Sequence, residues 1–201
     1  MKKTLIILMM VLLAAVLIVS CEDNKNDLNK KKYKVGDTGP AGGIIFYVNP
    51  KAKADKWTYL EVGKSDISDS SHSSTQGSDY FKWRPTVVDC GTGEKIGDGL
   101  NNTKKLSEKG SDYQAAYAVY GKDLYGNKYK DWFIPSKEEF NLLYESLKDG
   151  KLEPSLFSLE AFYWSSSEGG DSSAFKMGLS TGTLGEDSRT TECKVRPVRR
   201  F

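Results

Sequence analysis

Residues 131–140 read DWFIPSKEEF and mark the start of a helix in the middle of the fold. Ser136 is followed three residues later by Glu139, the S-x-x-E pattern of a capping box, in which both side chains satisfy backbone N–H groups at a helix N-terminus. The apolar residues that follow recur at i, i+3, i+4 and i+7, the spacing of one buried helical face: Phe140, Leu143, Tyr144 and Leu147. We therefore predict a helix that ends near Gly150, a typical C-terminal glycine.

The same stretch contains two adjacent carboxylates, Glu138 and Glu139, which raise the question of catalysis. Neighbouring residues on a helix point in different directions, so this pair does not flank one bond as the two carboxylates of a glycosidase do. Negative charge in the first turn also favours the helix dipole. We interpret both glutamates as part of the helix start.

Strands are predicted on both sides of this helix. Before it, residues 43–48 (GIIFYV) and 56–62 (KWTYLEV) are rich in the β-branched and aromatic residues of paired strands. After it come three runs that read as antiparallel strands: 162–168 (FYWSSSE), 174–182 (AFKMGLSTG) and 192–201 (ECKVRPVRRF). Pro197 indicates an edge strand or an irregular end, because proline cannot donate to a strand ladder.

Three segments before residue 131 have local signals of their own. Residues 36–43 (GDTGPAGG) contain two Gly-X-Y triplets, too few for a collagen helix, and lack the Gly-Lys-Ser/Thr of a phosphate loop, so they predict a turn. Asn102 or Thr103 is predicted to start a short helix. Ser111 and Gln114 form an S-x-x-Q capping box for a helix that stops at Gly121.

The N-terminus predicts export. Lys2 and Lys3 precede an apolar run that is shorter than the ~20 residues a membrane-spanning helix needs. The run ends in Ser20-Cys21, which resembles the bacterial lipobox, so Cys21 is the predicted lipidation site; the alternative is an ordinary signal peptide. We expect a lipoprotein signal peptide at 1–20, a lipidated, disordered tether at 21–32, and a single domain at 33–201.

Charge excludes one class of partner. The chain has 29 basic and 27 acidic residues, and removal of Lys2 and Lys3 with the signal peptide leaves 27 of each. Without a strongly basic domain, nucleic acid is not an expected partner. Basic residues are concentrated only near the C-terminus: Arg189, Lys194, Arg196, Arg199 and Arg200.

The cysteines and the histidine bear on redox and metal chemistry. In an exported protein the remaining pair, Cys90 and Cys193, predicts a disulfide, with two unpaired thiols as the alternative. His72 lies in a serine-rich stretch with no Cys or His nearby, so that stretch is predicted to be an exposed loop and no metal or cofactor is expected. Without a second histidine or a G-x-S-x-G elbow, Ser165–Ser167 do not predict a hydrolase.

Residues 90–103 carry oxygen ligands that suit calcium: Glu94, Asp98, Asn101 and Asn102. They lack the alternating spacing of an EF-hand loop. Turns followed by a helix cap are the favoured interpretation, and a calcium loop is the alternative.

In order, these motifs resemble the C-terminal domain family of collagen-like bacterial adhesins, much of which is named as a domain of unknown function. The resemblance covers 33–201 and is carried by five features: IGDGLNNT (96–103), the Ala/Tyr-rich helix, DWFIPSKEEFNLLYESL (131–147), YWSSSE (163–168) and VRPVRRF (195–201). The family is similar in fold to C-type-lectin-like domains. The resemblance therefore implies an α+β fold, with two or three helices packed on a twisted antiparallel sheet with long loops.

The family includes a binder of sulfated polysaccharides that acts as an oligomer, so the resemblance implies adhesion. Trp132 and Pro135 match its W-x-x-P motif, with a packing role. Trp164 matches the tryptophan of the W-S-S strand, either as a core residue or facing a ligand. Arg196 and Arg199 match its terminal arginines; for Arg196, a structural, hydrogen-bonded role is the alternative to ligand binding.

Two activities of the wider superfamily are not expected. Calcium-dependent sugar binding uses a Glu-Pro-Asn loop after the strand that corresponds to 163–167, whereas Glu153-Pro154-Ser155 precedes it. Formylglycine-generating relatives need two closely spaced cysteines. Cys90 and Cys193 are far apart in sequence.

Together these observations predict a non-enzymatic, membrane-anchored lipoprotein of the bacterial cell envelope, at the outer membrane or cell surface, that binds a glycan or polyanion. Basic side chains would attract a sulfated or acidic glycan, and aromatic rings would stack on sugars. The candidate ligand-binding residues are Trp164, Glu168, Arg189, Lys194, Arg196, Arg199 and Arg200. The alternative is a structural or envelope-assembly lipoprotein with a protein partner, for which a large exposed apolar patch would be expected. The oligomeric state is left open.

Overall fold

The computed structural model describes residues 31–84 and 89–201, and within this part of the chain residues 33–201 form one compact unit. The predicted signal peptide, the lipidation site Cys21 and most of the predicted tether lie outside the described residues. Where the chain is described, no helix has the length and apolar character needed to cross a bilayer.

The unit contains both helices and strands, and every pair of named strands is antiparallel, which confirms the α+β class. The helices are α1 (Ala52–Asp55), α2 (Gly99–Ser107), α3 (Gln114–Val119) and α4 (Lys137–Lys148), with a 3-10 turn at Pro154–Leu156. The strands are β1 (Ile44–Val48), β2 (Tyr59–Val62), β3 (Phe81–Lys82), β4 (Trp132–Phe133), β5 (Phe162–Glu168), β6 (Ser173–Gly178), β7 (Thr183–Ser188), β8 (Glu192–Cys193) and β9 (Val198–Arg200).

The strands form three sheets. The central sheet has the order β1-β2-β9-β4, β5-β6-β7 form a meander, and β3 pairs with β8. β9 lies between two strands that precede it by far in sequence: Val198 is opposite Val62 on one side and Phe133 on the other. Pro197 does not make this an edge strand; it interrupts the run, so that β8 and β9 are separate strands in different sheets.

The helix predicted from residues 131–150 is confirmed. Ser136 caps α4, its side chain accepts a hydrogen bond from the Glu139 N–H, and the Glu139 side chain accepts one from the Ser136 N–H. Gly150 has φ +69°, the left-handed conformation expected of a glycine after a helix C-terminus. The predicted apolar face is buried at Phe140, Leu143 and Leu147, with Tyr144 half-buried.

The strands divide the core into two apolar clusters. Successive side chains of a strand point to opposite faces, so Phe133 packs in the cluster under α4, while its neighbours Trp132 and Ile134 pack in the cluster beside α2 and α3. β5 makes the same division between Tyr163 and Trp164. Both segments therefore contribute side chains to the two clusters and connect them.

Two local predictions were wrong, and one strand was missed. Helix α2 begins at Gly99 rather than at Asn102 or Thr103, because those two side chains are buried and hydrogen-bonded to neighbouring segments. Helix α3 lies where expected, but the Ser111–Gln114 capping box does not form: the Gln114 side chain instead accepts from the Lys82 N–H, 2.9 Å away. Strand β7 was not predicted, since it contains few β-formers and is held by pairing to β6.

The predicted disulfide between Cys90 and Cys193 is not formed, although both residues are buried. Both side chains pack in the apolar cluster beside α2 and α3, but they have different neighbours there. The Cys90 sulfur accepts a hydrogen bond from Arg84 (3.2 Å), whereas Cys193 lies in β8 opposite Phe81. Burial raises the pKa of the Cys193 thiol to about 12, so this thiol stays protonated at neutral pH.

Candidate functional site

The basic residues near the C-terminus point into the protein rather than towards solvent. Arg196 is 2% exposed: its Nε donates to Asp66 (2.8 Å), its Nη1 donates to the Gly63 carbonyl (3.0 Å), and its guanidinium lies over the ring of Phe157. Lys194 is ion-paired with both Asp66 and Asp79. Asp66 thus holds two of the predicted ligand-binding cations inside the fold.

Arg199 is enclosed in the same way. Its guanidinium bonds to Glu61 (3.4 Å) and to Asp131 (2.6 Å) and lies between the rings of Tyr129 and Phe201. Two carboxylates and two aromatic rings of the protein itself thus surround this guanidinium, which is 7% exposed.

The other candidate residues are also engaged. Trp164 is fully buried and donates from Nε1 to the Phe81 carbonyl (2.7 Å), so its core role is the one observed. Arg189 bonds to Glu168 (3.0 Å) beneath Trp83, and Arg200 donates to the Gly97 carbonyl (2.9 Å).

Glu168 and Arg189 do border an open depression of about 270 Å³, together with Asp89 and Asp171. Acidic groups outnumber Arg189 there, and Glu168 also accepts the backbone N–H groups of Cys90 and Thr92 (both 2.9 Å). The structure therefore does not assemble the predicted residues into a basic ligand-binding surface.

Sequence reasoning missed a buried carboxylate in β2. Glu61 is fully buried, and its Oε1 accepts the N–H groups of Gly43 (2.8 Å) and Ala41 (3.1 Å). Residues 36–43 thus fold around this side chain, and burial raises the pKa of Glu61. The signal in the sequence was a glutamate within an otherwise apolar strand after a glycine-rich turn.

Glu139 is the second buried carboxylate, and its role is structural. It is fully buried and accepts the N–H groups of Ser136 (2.8 Å) and Gly97 (2.9 Å), so that it ties the loop before α2 to the start of α4. Burial raises the pKa of Glu139 from its ordinary 4.5 to about 7, against the opposing effect of those hydrogen bonds and of Arg200.

Stability is expected to fall as pH rises through this range. A carboxyl with a higher pKa in the folded than in the unfolded state binds its proton more tightly when folded, so its contribution is fully present below pH 4.5 and is lost towards pH 7. The loss amounts to about 3 kcal/mol in the free energy of unfolding. Urea unfolding at pH 5, 6, 7 and 8 should show this slope, with Glu61 adding to it in the same direction.

The Glu139→Gln variant separates this effect from general destabilisation. The quantity compared is the slope of the free energy of unfolding against pH, and not the free energy itself. Glutamine cannot titrate, so its slope should be markedly flatter than that of the wild type. Glu138→Gln changes the exposed neighbour and should keep the wild-type slope. Parallel slopes for wild type and Glu139→Gln would contradict the assignment.

A polar pocket lies where the serine-rich loop meets the start of α3, and we call it the Tyr117 pocket. It has a volume of about 210 Å³ and is lined by Asp69, Ser71, His72, Ser111, Asp112, Gln114 and Tyr117. Ligand pockets for drug-sized molecules are commonly ~300–1,000 Å³, so this one suits a smaller group.

Helix α3 places Tyr117 at the surface, because its alanines form the opposite, buried face. Ala115, Ala116 and Ala118 are buried, and their small side chains hold the helix backbone close to the core. Tyr117 falls on the opposite face and is 43% exposed, although apolar aromatic area is usually buried. Lys122 reaches over the ring, with its Nζ 4.9 Å from the ring centre.

The opposite wall is fixed by the serine-rich loop. The ring of His72 stacks on Phe81 at 4.3 Å, and its Nε2 donates to the carbonyl of Tyr80 (2.7 Å), since that oxygen can only accept. This leaves His72 Nδ1 as an acceptor, and among the described residues it has no hydrogen-bond partner. Most residues of the loop are exposed, as predicted, whereas His72 packs against Phe81.

The pocket offers hydrogen-bond acceptors next to an aromatic face. Asp69 accepts the Ser71 N–H (2.8 Å), and hydrogen bonds from Ser71 lower the pKa of Asp69, which keeps it ionised. Asp112 is exposed, and its carboxylate makes no ion pair with the residues that the structure describes. Ionised carboxylates accept hydrogen bonds from ligand hydroxyls, and Ser71 and Ser111 both donate and accept.

Metal chemistry finds no support in the described part of the chain, where no three His, Cys, Asp or Glu side chains are grouped to hold an ion. In the segment considered for calcium, Asp98 accepts the Lys95 N–H (2.9 Å) and Asn102 is bonded to both the N–H and the carbonyl of Gly93. These oxygens stabilise the turns before α2.

Comparison with known proteins does not identify a family for this chain. No protein-family model matches the chain, and no curated protein matches it. Among solved structures the chain is similar to a fimbrial protein from Bacteroides ovatus ATCC 8483, with a TM-score of 0.47 and 14% sequence identity over 78% of this chain and 43% of that one. The chain thus spans less than half the length of that protein, and we infer nothing about function from a likeness this distant.

Proposed function

We propose that this protein is a non-enzymatic binding module for a glycan, with the Tyr117 pocket as its site. The domain is a C-type-lectin-like fold, carried on a lipoprotein of the cell envelope that is anchored through Cys21. The fold and anchor proposals rest on the sequence motifs described above; the site rests on the structure.

The observation that carries the proposal is the combination of an exposed aromatic ring with polar groups that line the same pocket. A sugar ring has one apolar face and a rim of hydroxyl groups, so it can lie on Tyr117 while its hydroxyls donate to Asp69 and Asp112. Most of the wall is held from behind, by Phe81 under His72 and by Lys82 bonded to Gln114. A preorganised wall reduces the entropy lost on binding.

A sulfated or acidic glycan bound by the C-terminal cations is less well supported. That version needs basic side chains at the surface, whereas Arg189, Arg196 and Arg199 are each no more than 7% exposed and are ion-paired. A polyanion would have to displace the protein's own carboxylates from them.

The alternative, a protein partner docking on an apolar patch, also has less support. The exposed large apolar side chains of the described residues come from four separate segments of the chain: Val48, Ile96, Tyr117 and Phe162. Single exposed apolar residues are normal on a protein surface and do not by themselves mark an interface.

The function and its site can be tested with the full chain on a glycan array. Tyr117→Ala should weaken binding to every glycan that the wild type binds by about tenfold or more, because the stacking face is removed. Phe162→Ala is the matched control: Phe162 is 40% exposed, lies outside the pocket, and should leave binding unchanged.

Each outcome has a distinct meaning. Glycan binding that survives Tyr117→Ala would place the site elsewhere on the protein. The absence of any glycan binding by the folded wild type would reject the proposed function and return attention to a protein partner.

A further inference from the structure

The charge of the Tyr117 pocket carries information about its ligand beyond the presence of a sugar. Two carboxylates line it, Asp69 and Asp112, and no arginine or lysine does. The pKa of Asp69 is lowered by hydrogen bonds from Ser71, so this carboxylate remains charged even in mildly acidic solution. Lys122 lies over the Tyr117 ring, and both His72 and Lys122 act electrostatically on Asp69.

We infer that the Tyr117 pocket selects an uncharged sugar residue and rejects acidic ones. The inference rests on the proposed glycan-binding function and specifies its ligand class. It differs from the expectation drawn from sequence, in which a cationic surface attracts sulfated or acidic glycans.

Hydrogen-bond chemistry favours a neutral ligand. An ionised carboxylate is an acceptor only, and the hydroxyls of a neutral sugar can donate to it. Bonds of this kind, with one charged partner, are stronger than those between neutral groups. A sugar carboxylate or sulfate has no proton to donate at neutral pH, so it would place like charges side by side.

Electrostatic repulsion then disfavours an acidic ligand. Like charges juxtaposed in a binding site are strongly unfavourable, and this is a common means of excluding wrong partners. One lysine does not offset two carboxylates, and Lys122 is exposed, on a flexible side chain that can move into solvent. At the surface the repulsion is screened by salt, so discrimination should be greatest at low ionic strength.

The test compares pairs of oligosaccharides that share one backbone, of which one member is neutral and the other carries a carboxylate or sulfate. The full chain should bind the neutral member more tightly by roughly tenfold or more at low salt. The Asp69→Asn/Asp112→Asn double variant should reduce this ratio strongly, even if its affinity for the neutral member also falls. Asparagine can keep the hydrogen bond from the Ser71 N–H, so the loop should retain its shape.

A matched control removes the same amount of charge elsewhere. Glu108 and Glu145 have side chains that are 61% and 59% exposed, and among the described residues each forms an ion pair with an exposed lysine of the same helix or helix end. Glu108→Gln/Glu145→Gln should keep the wild-type ratio, because net charge alone does not set it.

Three outcomes decide between the proposals. Tighter binding of the acidic members by the wild type, or a ratio unchanged in Asp69→Asn/Asp112→Asn, would overturn the selectivity inference while leaving glycan binding intact. Binding of neither member of any pair would overturn the proposed function and the inference together. Tighter binding of the neutral member by the wild type, with a preference that is lost in Asp69→Asn/Asp112→Asn and kept in Glu108→Gln/Glu145→Gln, would support the proposed function and the selectivity inference.

Discussion

Substitution of Glu61 by alanine is expected to lower the free energy of unfolding by about 3–5 kcal/mol, the cost of breaking a buried ion pair by removing one partner. Arg199 would stay inside the protein with its side chain only 8% exposed, and would keep Asp131 as its remaining partner. The N–H groups of Ala41 and Gly43 would also lose their acceptor. Urea unfolding followed by circular dichroism measures the change.

The matched control for this prediction is Asp131→Ala, which removes the other carboxylate bound to the same arginine. The side chain of Asp131 is 48% exposed, so water replaces it readily and the cost should be at most about 1 kcal/mol. Equal costs for the two variants would mean that burial does not distinguish these ion pairs, contrary to our account of Glu61.

The Gly43→Ala variant is expected to be destabilised by a similar or larger amount, at least about 3 kcal/mol. A Cβ at this position would overlap the carbonyl oxygen of Val62 on the paired strand and lie 2.9 Å from Cγ of Glu61. The obstacle is backbone on one side and a fully buried side chain on the other, so neither can move without disrupting β1–β2 pairing. Loss of thermal stability, or failure to fold, is the expected readout.

Gly185→Ala tests whether the effect comes from the close approach rather than from loss of glycine as such. Gly185 lies in β7, its Cβ would meet nothing within 4 Å, and its φ is not positive. Alanine there should be neutral or slightly stabilising, by up to about 1 kcal/mol, because it restricts the unfolded chain. A large loss of stability in Gly185→Ala would contradict this reading of the two glycines.

Local signals predicted the elements well, because their information lies within a few residues. The cap, the buried face and the terminal glycine of α4 all come from Ser136 to Gly150, and all are observed. The strands flanking this helix follow from composition in the same way. β7 escaped prediction because its stability comes from β6 rather than from its own residues.

The ion pairs could not be predicted, because their partners are far apart in sequence. Arg199 and Glu61 are separated by 138 positions, and Arg196 and Asp66 by 130. Basic residues that lie close together in sequence therefore suggested a ligand-binding surface, whereas in the fold four of them pair with carboxylates and Arg200 bonds to a backbone carbonyl. Charged residues are seldom fully buried unless paired, and the pairing is visible only in three dimensions.

The Tyr117 pocket was also not predicted, because the residues that line it are far apart in sequence. Its walls come from a serine-rich loop and from a helix about 40 positions later, as the 41-residue separation between Ser73 and Gln114 illustrates. Tyr117 itself gave a signal that was not used: a large aromatic residue among alanines, on the face opposite to the buried one. The carboxylates Asp69 and Asp112 acquire meaning only once they share a cavity with that ring.

The position of β9 sets the order in which the molecule can be assembled. This strand is formed by residues 198–200, after every other element described, yet it joins β2 to β4. Until that segment has left the ribosome, β2 and β4 have no partner between them, Glu61 has no arginine, and the two halves of the central sheet stay apart. Such long-range pairing slows folding, so the domain should remain incompletely folded until residues 198–200 have been synthesised. For an exported protein, as proposed here, this delay would keep the residues before β9 ready for translocation.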